Sequence, residues 1–255
     1  PIPKGLPAQK SHLRMEGISL KRLNAILTPL ADLLLTPLCF GCGSRLREAS
    51  DLICEDCQAQ LALPGEDTCK LCGTQLEQGA CPHCAESIPL FRVARSAFLF
   101  KSPVRELVHA FKYDSYTRVS PWLIKGMLQT FQSEPAFSCC DLVTAVPLHW
   151  VRQRDRGFNQ SELLARQLAK HLGLAYKQLA RRSHHTPSQT RLSKEERQHN
   201  LGNAFKLKSK QDLSGRHILL IDDVFTTGTT VNQLSRLFLE HQAASVAVLT
   251  AARAI

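Results

Sequence analysis

The chain has 255 residues, 44% of them hydrophobic and 21% charged, with a formal net charge of +10. This length allows one large domain or two smaller ones, and the composition excludes a largely disordered, collagen-like or coiled-coil chain. No apolar run reaches the ~18–20 residues of a membrane span; the nearest, from Leu20 to Leu38, is broken by Lys21, Arg22, Asn24, Asp32 and two prolines. No secretory signal is legible, and the first methionine is Met15.

Residues 1–38 read as an arm with a docking helix. Ile18, Leu20, Leu23, Ile26, Leu27, Leu30, Leu33 and Leu34 approximate one helical face. Pro29 should kink or restart that helix. Residues 39–90 form a cysteine module, rich in turn residues and poor in periodicity. Cys39/Cys42, Cys54/Cys57, Cys69/Cys72 and Cys81/Cys84 are four Cys-x-x-Cys pairs. Each pair makes a knuckle whose two sulfurs can face one ion, and two knuckles complete a tetrahedron. Two structural zinc ions are the expected occupants, with iron–sulfur or redox disulfides as the alternatives. The sequential grouping is simplest: Cys39, Cys42, Cys54 and Cys57 on one ion, Cys69, Cys72, Cys81 and Cys84 on the other. An interleaved pairing stays open. A site filled by four thiolates leaves no open position for substrate, so the ions should stabilise and not catalyse. Without a secretion signal, free thiols point to the reducing cytoplasm.

Residues 91–255 change pattern. Strands are expected at Arg95–Phe100, Asp141–Pro147, His217–Asp223 and Ala244–Thr250. Helices are expected at Pro103–Tyr113, 121–132, Phe158–Leu172 (ended by Gly173) and Thr230–His241. This alternation argues for a parallel α/β sheet. Residues 175–216 are polar, basic and weakly periodic. Cys139 and Cys140, just ahead of a buried strand, read as small packing residues. The charge is also local. Between Arg152 and Arg216 lie fifteen Lys/Arg against five Asp/Glu, and the rest of the chain is balanced. That excess points to an anionic ligand, a nucleic acid or both.

The most informative stretch is Leu219–Thr230, LLIDDVFTTGTT. An apolar strand ends in Asp222 and Asp223, and a Thr/Gly loop then opens a helix. Such a loop offers backbone N–H groups, hydroxyls and the positive end of a helix dipole to a phosphate. The two acids can accept hydrogen bonds from vicinal ribose hydroxyls, or contact Mg²⁺ directly or through water. The loop lacks the Gly–Lys–Ser/Thr end of a Walker loop.

This stretch resembles the phosphoribosyl pyrophosphate (PRPP) signature of type I phosphoribosyltransferases. RGFNQ at 156–160 with its Leu/Ala-rich helix, TPSQTRLS at 186–193, Arg197 with Asn200, AF at 204–205 and FKY at 111–113 resemble the ComF family of competence proteins. That family also carries N-terminal cysteine knuckles. The resemblance runs from about residue 27 to 253. It implies an α/β, parallel-sheet type I phosphoribosyltransferase fold preceded by a small zinc-ribbon domain. It implies that Asp222 and Asp223 bind the ribose, with or without Mg²⁺, and that these acids and Arg156 stand at the reacting centre. Thr226, Thr227, Gly228, Thr229 and Thr230 would hold the 5′-phosphate. Val146, Pro147, Leu148 and His149 would form the pyrophosphate loop, with Lys112, Arg154 and Arg156 as candidates for pyrophosphate or its metal. Arg181–Arg197 would be the loop that closes over PRPP. Purine enzymes usually carry an acid where Thr226 stands, so the resemblance leaves the acceptor unknown and a purine disfavoured. The zinc module would replace the hood that reads the base. The implied partners are PRPP with Mg²⁺, single-stranded DNA and a helicase-like competence protein, and a homodimer is compatible with the sequence.

Overall fold

The computed structural model describes residues 37–48, 50–113, 116–148, 157–182, 204–208 and 211–254. Its elements in chain order are α1 (Glu55–Ala59), α2 (Pro82–Glu86), β1 (Val93–Leu99), α3 (Val104–Tyr113), α4 (Ser120–Ser133), β2 (Leu142–Ala145), α5 (Gln160–Leu172), β3 (Ala175–Tyr176), β4 (Ala180–Arg182), β5 (Phe205–Leu207), β6 (His217–Phe225), α6 (Thr229–Glu240) and β7 (Ser245–Arg253). The docking helix expected at residues 18–35 lies outside the described residues. No helix among the described residues is long and apolar enough to cross a membrane.

Five strands form one sheet in the order β1-β7-β6-β2-β3, and every pair is parallel. The sheet is covered on both faces, which is why β6 and β7 are continuous apolar runs and not alternating ones. Leu219, Ile221 and Leu249 pack with Leu107, Phe111, Leu123, Met127, Leu164 and Leu168 of α3, α4 and α5. Their neighbours Ile218, Leu220, Val246 and Val248 pack with Val231, Leu234 and Phe238 of α6.

Most elements fall within two residues of their expected bounds, and the shifts have local causes. The helix expected from Phe158 starts at Gln160, because the Asn159 side chain accepts from Ser161 N–H and caps it. It ends as expected at Gly173, in the left-handed conformation. The first strand begins at Val93 because β7 offers it a partner there, Ala247. Within the weakly periodic stretch, β4 and β5 form an antiparallel ribbon with Arg181 directly opposite Lys206.

The cysteine module straddles the β1 edge of the sheet. Cys39, Leu46, Leu52, Ile53 and Cys57 join the core on the α3–α5 face. Cys69 and Cys72 join the core on the α6 face, with Phe91 and Ala94. The linking segment and the second half's first knuckle shield the edge: Leu99 N–H donates to Ala62 C=O at 2.9 Å and Ala94 N–H to Leu71 C=O at 2.7 Å. Exposed edges invite pairing with other chains, and here the module takes that place. Two arginines fasten it. Buried Arg253 donates to Cys72 C=O at 2.6 Å and to the Thr74 hydroxyl. Arg95 bridges Glu134 at 2.7 Å and Lys70 C=O at 3.0 Å.

Candidate phosphate and ribose site

The connections from β2 and β6 leave in opposite directions. The chain after β2 passes through α5 to β3 on one side, and the chain after β6 passes through α6 to β7 on the other. Adjacent strands whose connections diverge leave a crevice at their carboxyl ends, where open α/β sheets bind ligands. Ala145 pairs with Ile221, and Val146 N–H donates to Ile221 C=O at 2.9 Å. Pro147 and Leu148 therefore leave β2 beside Asp222 and Asp223.

Both acids are still within β6 and only partly exposed. Asp222 Oδ1 accepts from the Ser161 hydroxyl at 2.7 Å and from Asp223 N–H at 2.9 Å. Asp223 Oδ2 pairs with the Lys112 ammonium at 3.1 Å. Burial and the adjacent Asp223 charge raise Asp222 to about 7, against the opposing pull of Ser161, Asp223 N–H and Lys112. One carboxylate is thus neutralised by a cation, and the other sits near its protonation point at neutral pH.

Three consecutive residues at the start of α5 frame this crevice. Asn159 donates to Val146 C=O at 3.0 Å, Gln160 to Lys112 C=O at 3.4 Å, and Ser161 to Asp222. They tie together the end of β2, the end of α3 and the acidic pair. Sequence reasoning assigned none of the three a role. The RGFNQ motif marked the position of the first two, but their partners are distant in the chain.

After Phe225 the chain turns through Thr226, Thr227 and Gly228 into α6. Gly228 has φ +73°, and a Cβ there would lie 2.7 Å from the Phe225 ring, so both conformation and space demand glycine. No side chain caps α6 at Gly228. Thr227 and Thr229 bond to each other through their hydroxyls at 2.9 Å. The first N–H groups of a helix have no partner within it. At α6 the Thr229 N–H makes a long bond to the Thr227 hydroxyl at 3.4 Å, and the N–H groups of such a helix start favour an anion. Lys112, Pro147 and Leu148 are at the crevice. His149, Arg154 and Arg156 lie outside the described residues, as does most of Arg181–Arg197.

The cysteines gather into two sets, Cys39, Cys42, Cys54, Cys57 and Cys69, Cys72, Cys81, Cys84, each with sulfurs within 4.8 Å of one another. This is the sequential grouping. Zinc–sulfur bonds of ~2.3 Å imply tetrahedral edges of about 3.8 Å. The Cys42–Cys54, Cys69–Cys84 and Cys72–Cys81 sulfurs are 3.6, 3.8 and 3.4 Å apart. Backbone N–H groups of Cys54 and Cys84 point at the Cys39 and Cys81 sulfurs at 3.3 and 3.4 Å, as expected around thiolates. The donors therefore suit a tetrahedral zinc in each set. Cys140 is buried as a packing residue, whereas Cys139 accepts from Arg92 at 3.2 Å.

Comparison with known proteins agrees with both halves. Residues 156–254 match the family model of the phosphoribosyl transferase domain, and residues 30–88 that of the double zinc ribbon domain. Competence protein F of Haemophilus influenzae is 30% identical over 78% of this chain and 89% of its own length. DNA utilization protein YhgH of Salmonella typhimurium is 32% identical over 77% of this chain and 94% of its own. Competence protein ComFC of Streptococcus pneumoniae is 27% identical over 86% and 95%.

Proposed function

The chain belongs to the ComF family of competence proteins, and from that premise we propose that it is a cytoplasmic, PRPP-binding protein of DNA uptake. The observation that carries this reading is the acidic pair Asp222–Asp223 near the end of β6, followed through the Thr226–Gly228 turn by the N-terminus of α6, at the switch point of a parallel sheet. The acids accept the ribose hydroxyls and the Thr226–Thr230 loop takes the 5′-phosphate. The residues after β2 take the pyrophosphate, with Arg154 and Arg156 as its cations. Two carboxylate oxygens, one on each acid, have no partner among the described residues and can face a ligand. Lys112 already occupies Asp223, so Mg²⁺ is best held by the pyrophosphate oxygens and water, as is usual for this ion. It would supply charge neutralisation to the leaving group. The two cysteine sets each hold a structural zinc.

Where turnover occurs, the C1–O bond to pyrophosphate breaks and a bond from C1 to a nitrogen of the acceptor forms. Closure of the Arg181–Arg197 segment would keep water from the oxocarbenium-like centre. Calorimetry with PRPP–Mg²⁺ tests the binding reading. Asp222→Asn with Asp223→Asn should weaken binding by roughly tenfold or more, since a hydrogen bond to a charged group is worth ~1.5–3 kcal/mol. Equal affinity in both proteins refutes the site. Pyrophosphate release against a panel of bases reports turnover separately.

The β4–β5 ribbon favours a second reading, a non-catalytic adaptor that binds single-stranded DNA and docks a helicase-like partner. Arg181 and Lys206 face each other across the ribbon, both exposed, with exposed Lys208 and Arg182 beside them. Like charges directly opposite destabilise a strand pair, a cost that a bound phosphate backbone relieves.

A further inference from the structure

The cysteine module also builds a second concave surface. Between its last knuckle and α6 lies an open cleft of about 690 Å³, within the ~300–1,000 Å³ usual for small-molecule sites. Asn232, Gln233 and Arg236 line one side, spaced so that they share a face of α6. His83 and Ser87 line the other, and the buried ring of Phe91 contributes an apolar surface between them. Asn232 is committed to structure: its side-chain oxygen accepts from Leu90 N–H at 2.6 Å and ties the two walls together. The His83, Gln233 and Arg236 side chains have no hydrogen-bond or ion-pair partner among the described residues. An unpaired guanidinium, an imidazole and an amide thus share a cleft with an aromatic ring.

The cleft is continuous with the phosphate loop, since Thr227, Gly228 and Thr229 also line it. A site shaped for a terminal phosphate monoester closes around all the free oxygens. Here the loop opens along α6, so a phosphate on the helix N-terminus can carry a substituent on that side. We propose that the cleft receives a nucleoside joined by a phosphodiester to the phosphate on the loop, so that the site takes the 3′-terminal dinucleotide of a single strand. This rests on the phosphate-loop reading above. The terminal sugar meets Asp222 and Asp223, its 5′-phosphate meets the loop, and the preceding nucleoside enters the cleft. Arg236 offsets the phosphate charge, Gln233 meets a base edge, and the buried Phe91 closes the floor of the cleft with an apolar edge.

The test compares two ligands on the full chain: ribose 5-phosphate, which ends at the loop, and a dinucleoside monophosphate, which continues beyond it. Gln233→Ala with Arg236→Ala should weaken the dinucleoside monophosphate by roughly tenfold and leave ribose 5-phosphate unchanged. Ser87→Trp, which fills the cleft from its exposed wall, should give the same split. Two results overturn the cleft alone: ribose 5-phosphate binds while the dinucleoside monophosphate does not, or the variants leave the dinucleoside monophosphate unaffected. Equal weakening of both ligands does the same, because it places these residues at the loop. Failure of ribose 5-phosphate to bind the unaltered chain overturns the phosphate-loop reading and the cleft with it.

Discussion

Replacing Asp222 by asparagine should make the fold more stable at neutral pH while making it a poorer ligand site. Burial and the Asp223 charge raise the Asp222 carboxyl from 3.8 to about 7. The native state therefore holds a proton on Asp222 that the unfolded chain releases near pH 4. Stability is full below about pH 4, where both states are protonated, and is lost as pH rises to about 7. At 1.36 kcal/mol per pH unit the whole loss is at most ~4 kcal/mol. Coupling to Asp223 and Lys112 shares that cost, so ~2 kcal/mol is the working figure. Asparagine keeps an acceptor for Ser161 and Asp223 N–H but carries no charge. Urea unfolding of wild type and Asp222→Asn at pH 5 and pH 8 measures the effect. The stability advantage of Asp222→Asn should grow by ~1–2 kcal/mol from the lower to the higher pH. PRPP affinity of the wild type should rise over the same interval, as the carboxylate that accepts the ribose hydroxyl forms, and that rise should be smaller in the variant, where only the ionisation of the ligand's phosphates at about pH 6 contributes. A stability difference that stays constant between pH 5 and pH 8 would refute the argument that Asp222 is held protonated in the fold.

The cysteine sets should bind about two zinc ions per chain by elemental analysis, and Cys54→Ser and Cys69→Ser should each lose one. Because Cys69 lies in the α6 core, its replacement should also loosen hydrogen-exchange protection on that face of the sheet, beyond the module itself. Asn159→Ala removes both the α5 cap and the bond to Val146 C=O; it should cost ~1–2 kcal/mol in denaturant unfolding and weaken PRPP binding together. Arg181→Ala with Lys206→Ala should reduce single-stranded DNA binding in anisotropy titrations and flatten its log–log salt slope by about 0.7 for each phosphate that is no longer neutralised. The same pair of changes should leave the fold as stable as before or a few tenths of a kcal/mol more stable, because it removes a like-charge cross-strand pair.

Local pattern carried much of this protein. Four Cys-x-x-Cys pairs within 46 residues announce metal knuckles, because two intervening residues let both sulfurs of a pair face one ion; which pairs share an ion was decided by the fold. Apolar runs such as HILLIDD dictate buried parallel strands, and the acid pair before TTGTT marks a strand end running into a helix start. Each of these signals spans only a few residues, so each is written in the order of the chain. The rest depends on partners far apart. Ser161 reaches Asp222 across 61 positions, Gln160 reaches Lys112 across 48, and Asn232 reaches Leu90 across 142. No periodicity encodes such pairs, because the sheet order that brings them together is a consequence of packing both faces at once. The same packing made the cysteine module straddle the β1 edge, with one set in each core. It also set Arg181 opposite Lys206, since an antiparallel register is decided by which residues of a ribbon can bury Ala180 and Phe205. The residue types announced a candidate phosphate loop, an acidic pair ahead of it and four metal knuckles; only the tertiary structure decided what holds them in place and which cleft opens beside them.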